Sequence, residues 1–291
     1  VASGILNVNK PSGPSSFGVV RRVKRFPGIR KVGHGGTLDP AADGVLPVLV
    51  NSATRLADFI HAWPKTYLAT IVFGAESDTG DGEGRITRAG DPATLTRARI
   101  EATFPSFIGW IEQVPPSYSA LKRGGEALYR KARRGEPVQL PPRRVEIRSI
   151  TLLDYRAEQS AARLRIESGR GMYVRSLAQD LGRALGCGAY LDSLTRLAVG
   201  PLRLEQAIEV SQLVELGDQW PTALLPAELP IKDWPALALD AAQVAAVKRG
   251  QPVTAPFPAV GRYRLMDEAG ELIGWGEAVG SQVRPRAVFD V

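Results

Sequence analysis

The segment Gly33-His34-Gly35-Gly36-Thr37-Leu38-Asp39-Pro40 holds the residue types best suited to chemistry. Its three glycines permit tight turns and close approach of the backbone. Pro40 pushes Asp39 away from the α region and into an extended loop. An apolar run, Val45–Val50, follows. A carboxylate held on a stiff glycine-rich loop beside a strand can serve as an acid, a base or a nucleophile. The same residues also read as a plain turn in which Asp39 caps backbone amides, and spacing alone favours that reading. The segment is not a dinucleotide fingerprint, because Leu38 stands where the last glycine would be. Neither a P-loop nor a G-x-S-x-G elbow occurs. The acidic run Glu76–Gly84 fails the EF-hand spacing and reads as a hairpin loop. Two histidines and one cysteine are too few soft ligands for an ordinary zinc site, so no metal is expected.

Short elements must position these residues, since 30 glycines and 22 prolines punctuate the chain. Ile5–Asn9, Val45–Val50 and Lys65–Gly74 read as strands, the last rich in β-branched and aromatic residues. Val145–Tyr155 and Ala161–Ser168 read as two more; in the second, Leu164 and Ile166 alternate with charged residues. Helices are expected over Ser52–Ala62, Thr94–Phe104 and Ser176–Leu185, the last with Leu177, Leu181 and Leu185 on one face and Gly186 as its stop. Prolines 221, 226, 230 and 235 mark a junction. After it a short helix near Asp240–Arg249 and strands at Gly261–Met266, Leu272–Ala278 and Ala287–Val291 make a unit the size of a small β-barrel. The expected fold is α+β, with a large mixed, mainly antiparallel central sheet and flanking helices, over residues 1–226. Residues 227–291 form the small C-terminal module.

Composition narrows the function. With 44% hydrophobic and 23% charged residues the 291-residue chain is globular rather than disordered or fibrous. No apolar run reaches 18 residues, so no membrane helix is expected, and VASGILNVNKP lacks the pattern of a secretory leader. A single cysteine, Cys187, excludes an internal disulfide framework and points to a reducing, cytoplasmic setting. The formal charge of +7 is unevenly spread. Residues 21–31 carry six basic and no acidic side chains, and residues 121–150 carry nine basic and three acidic, whereas residues 226–291 have a net charge of −1. Two concentrated basic segments fit a nucleic-acid surface.

Beyond these signals, GHGGTLDPAADGVLP closely resembles the catalytic motif of the bacterial tRNA pseudouridine-55 synthases. Other stretches are similar to that family in the same order: Asn9-Lys10-Pro11-Ser12-Gly13-Pro14-Ser15-Ser16-Phe17, Lys65-Thr66-Tyr67, Val114-Pro115-Pro116-Ser117-Tyr118-Ser119-Ala120-Leu121-Lys122, Gly171-Met172-Tyr173-Val174-Arg175-Ser176-Leu177 and Leu194-Thr195-Arg196. The resemblance covers most of residues 3–210. The C-terminal module more weakly resembles a PUA domain, a small RNA-binding barrel.

The resemblance implies isomerisation of uridine 55 in the T-loop of tRNA, with no cofactor and no guide RNA, by a chain expected to be a monomer that also touches the acceptor and T-arm. It implies three catalytic residues: Asp39 as the essential carboxylate, Arg175 paired with it, and Tyr67 stacked on a flipped-out base. It also implies substrate contacts from His34, filling the space the base leaves, from Leu194 and Tyr173 around the base, and from Lys10, against either the Asp39 loop or an RNA phosphate. Lys122, Arg123, Arg130 and Lys131 lie in a basic RNA-binding insertion over about 121–148. The chain departs from the family at Gly35, where threonine is usual, at Ala41-Ala42-Asp43-Gly44 in place of Leu-Ala-Thr-Gly, and at Thr195 in place of arginine. Two other readings share these residues: a guide-RNA-dependent pseudouridine synthase, and a non-catalytic RNA-binding protein or tRNA-folding chaperone.

Overall fold

The computed structural model describes residues 2–116, 122–123, 126–127, 140–255 and 260–289. From the N-terminus it runs through β1 (Gly4–Lys10), α1 (Ser16–Val23), β2 (Val32–His34), β3 (Asp43–Val50), α2 (Ala57–Ala62) and β4 (Lys65–Phe73). A hairpin of β5 (Ala75–Ser77) and β6 (Ile86–Arg88), the short helix α3 (Arg97–Glu101) and β7 (Gly109–Gln113) follow. Beyond a small β8 (Lys122–Arg123) and β9 (Glu126–Ala127) come β10 (Arg143–Arg156), β11 (Ala161–Ser168), α4 (Val174–Leu185), β12 (Ala189–Val199), β13 (Leu202–Arg203), β14 (Ile208–Glu209) and α5 (Val210–Glu215). The C-terminal module holds β15 (Ala236–Ala238), α6 (Ala241–Lys248), β16 (Val253–Thr254), β17 (Arg262–Met266), β18 (Leu272–Val279) and β19 (Gln282–Val288).

The central sheet has ten strands in the order β14-β1-β3-β12-β4-β11-β10-β7, with β2 added to β3 and β13 to β12. Pairing is antiparallel except at β1–β14 and β3–β12. It is therefore the mixed, mainly antiparallel sheet that the sequence leads one to expect. The strand period of two does the sorting: Lys65, Tyr67, Ala69, Ile71 and Phe73 of β4 are buried, while the residues between them are half-buried. Leu177, Leu181 and Leu185 of α4 pack into the same core as Ile71, Leu164 and Ile166.

Several elements differ from expectation. The helix expected over Ser52–Ala62 is a 3-10 turn, Asn51–Leu56, leading into α2. Asn51 has φ +53, and its side chain is spent on the backbone of Ala2, Gly28, Arg30 and Lys31, so the chain enters too tightly for a regular α turn. The second expected helix shrinks to α3, because Thr96 caps it at Arg99 N and a separate 3-10 turn, Phe104–Phe107, follows. The last strand lies at Gln282–Val288 rather than over Ala287–Val291. Strand β12 and helix α1 were not read from the sequence. The helix over Val174–Leu185 and its stop at Gly186, φ +76, agree with expectation.

Five strands in the order β15-β17-β18-β19-β16 form the C-terminal sheet, curled round Leu237, Val247, Tyr263, Leu265 and Val283. It meets the larger unit through Leu56 and Phe59 beside α2 and Ile231, Leu272 and Phe289. There the rings of Phe59, Trp234 and Trp275 stand edge to face, 5.1–5.5 Å apart. The Arg262 guanidinium lies 5.5–5.8 Å from all three centroids. Such contacts add to area burial. Among the described residues no helix is long and apolar enough to cross a membrane.

Gly182, in the last turn of α4, lies so close to the chain folding back into β12 that a Cβ on it would sit 2.1 Å from Ala189 N and 2.4 Å from Gly188 C. Alanine is the better helix former by about 1 kcal/mol, but that backbone cannot yield like a flexible side chain. Gly182→Ala should therefore destabilise the protein by about 1–3 kcal/mol in urea unfolding, as overpacking does; a gain in stability would show that α4 can move.

Candidate active site

Residues 36–42 form an irregular loop whose carbonyls are all accounted for. Arg196 donates to the carbonyls of Gly36 (3.0 Å) and Thr37 (3.2 Å). Ser16 Oγ donates to Leu38 O and accepts from Leu38 N. Ala42 N closes a turn on Asp39 O. Lys10 Nζ donates to the carbonyls of Pro40 (3.0 Å) and Ala42 (2.6 Å), and Ser12 Oγ to that of Ala41. The donors come from the end of β1, the start of α1 and the middle of β12. Lys10 and Arg196 are both almost fully buried. Each buried cation is stabilised by several carbonyl dipoles at once, the condition under which such burial is tolerated. Of the two readings of Lys10, the geometry places it on the loop: its third hydrogen bond goes to Pro11 O, and no N–H is left for a phosphate.

The loop presents Asp39 to Arg175, the second residue of α4, at 3.0 Å. Arg175 also faces Asp81, at 3.4 Å, and donates to Thr79 O. Its side chain is 4% exposed against 35% for Asp39, so the guanidinium is the fixed partner and the carboxylate reaches the solvent side. Burial pushes the Asp39 pKa above its ordinary 3.8, opposed by Arg175 and Lys10 and reinforced by Asp81. The Asp81 carboxylate is held in turn by Thr79 Oγ1 at 2.6 Å.

A cavity of about 330 Å³ opens over this pair, lined by Asp39, Tyr67, Tyr173, Leu194, Arg196 and Lys65 among others. Tyr67 and Arg196 face each other across β4 and β12, and the guanidinium donates to the phenol oxygen. Tyr173 caps α4, and both its backbone N–H and its carbonyl are tied to the side-chain amide of Gln113. Ser176 Oγ donates to Val114 O, so the root of the basic insertion is fastened to the same helix end. His34 is not among the lining residues. It ends β2, and its Nδ1 accepts from Gly36 N. Burial, with His61 and Arg196 nearby, pushes its pKa below 6.5. Lys122 and Arg123 lie on β8, and their side chains, like Arg130 and Lys131, lie outside the described residues.

Arg196 and Lys65 stand in the motifs quoted above without a role of their own, Asp81 in the acidic hairpin loop, and Gln113 in none of them. Strand alternation carries a signal for two of them: Lys65 is two residues before Tyr67, and Arg196 two after Leu194. Nothing local marks Asp81 or Gln113.

Three family profiles match the chain. A profile described as TruB family pseudouridylate synthase (N terminal domain) matches residues 24–174. Profiles for the tRNA pseudouridylate synthase B C-terminal domain and for the pseudouridine synthase II TruB C-terminal region match residues 175–230 and 235–289. The chain belongs to the TruB family of pseudouridylate synthases. A tRNA pseudouridine synthase B of Dehalococcoides mccartyi is 45% identical over 82% of this chain and 79% of its own. One from Xanthomonas campestris pv. campestris is 41% identical over 99% of this chain and 94% of its own. Among solved structures, a chain of a Cbf5-Nop10-Gar1 complex superposes with a TM-score of 0.73 at 27% identity, over 99% of this chain and 85% of that one.

This TruB family chain has glycine at position 35, and the structure explains the departure. A Cβ there would sit 2.3 Å from Ile60 Cγ2 and 3.1 Å from Pro47 Cβ; Ile60, fully buried, fills the space. Gly35→Thr should therefore cost about 1–3 kcal/mol by denaturant unfolding, and Ile60→Ala in the same chain should recover part of that cost; additive losses would refute the coupling. In ¹³C-detected titrations Asp39 should titrate above 3.8. Arg175→Gln should raise its pKa further and Asp81→Asn should lower it, because the first removes a favourable charge and the second an unfavourable one. Movement in the opposite sense would contradict the geometry.

Proposed function

We propose that the chain isomerises uridine 55 in the T-loop of tRNA to pseudouridine, acting without a guide RNA. The observation that carries this reading is the Asp39–Arg175 ion pair at the base of a cavity walled by Tyr67, Leu194 and Tyr173. The relatives named tRNA pseudouridine synthase B support tRNA as the substrate. A stacked base must leave the helix to reach such a cavity. Tyr67 offers it a ring, and Arg196 fixes the phenol hydroxyl. The reaction breaks N1–C1′, turns the base over and joins C5 to C1′; the C5 proton goes to solvent and N1 takes one up. Asp39 serves this either by attacking the nucleotide or by taking a proton from the ribose. Both routes need the carboxylate ionised, which Arg175 favours.

Affinity comes from phosphate neutralisation by the basic segments, and specificity from the shape and unpaired bases of the T-loop. Arg21, Arg22, Lys24, Arg25, Arg30 and Lys31 are all exposed. A reducing cytoplasm is the setting this substrate implies. The likeness to the Cbf5-Nop10-Gar1 chain keeps a guide-dependent synthase as the second reading.

Tritium release from a tRNA transcript labelled at uridine C5, with no guide RNA, separates the two. The wild-type chain should release tritium from position 55, and Asp39→Asn should be slower by at least roughly 10²–10⁴-fold. Binding without release by the wild type would favour guide dependence or a folding chaperone; release by Asp39→Asn at the wild-type rate would remove Asp39 from the chemistry.

A further inference from the structure

Lys65, Arg170 and Arg196 line the cavity, while Arg175 lies behind Asp39. Arg196 is buried and turned onto the backbone, with its Nε on Val45 O and its Nη atoms on the Asp39 loop. Lys65 Nζ donates to His61 O and Trp63 O, two of its three possible bonds. Burial lowers its pKa to about 8, with Arg196 and Arg170 adding to the shift; no carboxylate is among the groups acting on it. Arg170 differs from both. It stands exposed in the loop Gly169-Arg170-Gly171, just past Ser168 of β11, which pairs with Lys65. It makes no hydrogen bond or ion pair with the described residues. Among the described residues Glu146, whose carboxylate lies beside Gly169, is paired with Arg148, and neither Arg170 nor Lys65 forms an ion pair of its own.

We propose that Arg170, backed by Lys65, binds a backbone phosphate flanking the nucleotide whose base enters the cavity. The proposal rests on the RNA-isomerase reading given above. A flipped nucleotide stays joined to its neighbours through two phosphodiesters, which remain at the rim while the base goes inward. Arg170 lies at that rim, and its planar fork matches two phosphate oxygens. A phosphate there supplies the anion that Lys65 lacks, and the third N–H of Lys65 is available to it. Asp39 and the base are neither needed for this contact nor displaced by it.

The test uses T-arm stem-loop RNAs in which the phosphate 5′ or 3′ of the target uridine is replaced by an uncharged methylphosphonate. Binding is measured in the full chain carrying Asp39→Asn, so that affinity is read without turnover. Arg170→Ala should weaken binding of the native RNA about tenfold at low salt. It should also reduce the slope of log Kd against log salt by about 0.7–0.9. Arg170→Lys should recover part of the affinity, since it keeps the charge. One of the two methylphosphonate RNAs should bind the Arg170 protein about tenfold more weakly than native RNA, and the Arg170→Ala variant no more weakly. If both methylphosphonates weaken the variant as much as they weaken the parent, or if Arg170→Ala leaves Kd and the salt slope unchanged, the proposal fails. Tritium release by the wild type is scored separately, so a failed isomerase reading is distinguishable from a failed phosphate contact.

Discussion

The structure of the site depends on satisfying the carbonyls of one short loop. Residues 36–42 have no ladder partner of their own, and a buried carbonyl without a donor costs about 1–3 kcal/mol. The donors that answer them are Lys10, Ser12, Ser16 and Arg196. They belong to segments brought together only when β1, β3 and β12 lie side by side. The loop cannot take its shape locally. Its geometry is a product of the whole sheet, and this is why two cations are buried where apolar side chains would otherwise serve. Removing either cation would leave carbonyls unpaired, the expensive half of the hydrogen-bond balance.

Charge is arranged around that loop in two layers. Below it, Lys10 and Arg196 face backbone dipoles. Beside it, Arg175 is shared between Asp39 and Asp81, so the carboxylate facing solvent is one of two competing for a single guanidinium. Burial and Asp81 together outweigh Arg175 in setting the proton affinity of Asp39. Position thus comes from the helix and tuning from the neighbouring acidic loop. Two turns beyond Arg175, Gly182 lets the chain fold back tightly from α4 into β12 at Ala189.

Much of this was legible in the amino-acid sequence. Glycines around an Asp-Pro pair marked the loop, period-two alternation marked β4 and β11, and a leucine stripe with a glycine stop marked α4. What was hidden is what depends on pairing between distant segments. Strand β12 carries Asp192, Ser193 and Thr195 among its apolar residues and bulges near Ser193 and Ala198, so its alternation is broken at the point where it matters. Without β12 in place, Arg196 is one arginine among many, although it lies opposite Tyr67. Lys10 shows nothing in its neighbours that it is buried, and the two readings of it separate only once Pro40 and Ala42 are seen above its ammonium. Helix α1 left a trace in Val19, Val20 and Val23, which share a face, but its glycine and two arginines obscured it.

Helix α2 is less than two turns long, yet three consecutive residues on it face three different parts of the molecule. Phe59 enters the ring cluster at the C-terminal sheet, Ile60 fills the space under Gly35, and His61 reaches the cavity wall and donates from Nε2 to His34 O. The two sheets are therefore not independent bodies on a tether. Their spacing in this structure is set by a packed joint that is itself part of the wall of the site, so that the sheets stand like the two jaws of a caliper. A ligand long enough to touch both sheets is measured against that length, and one of the wrong reach gains at one jaw only by losing at the other.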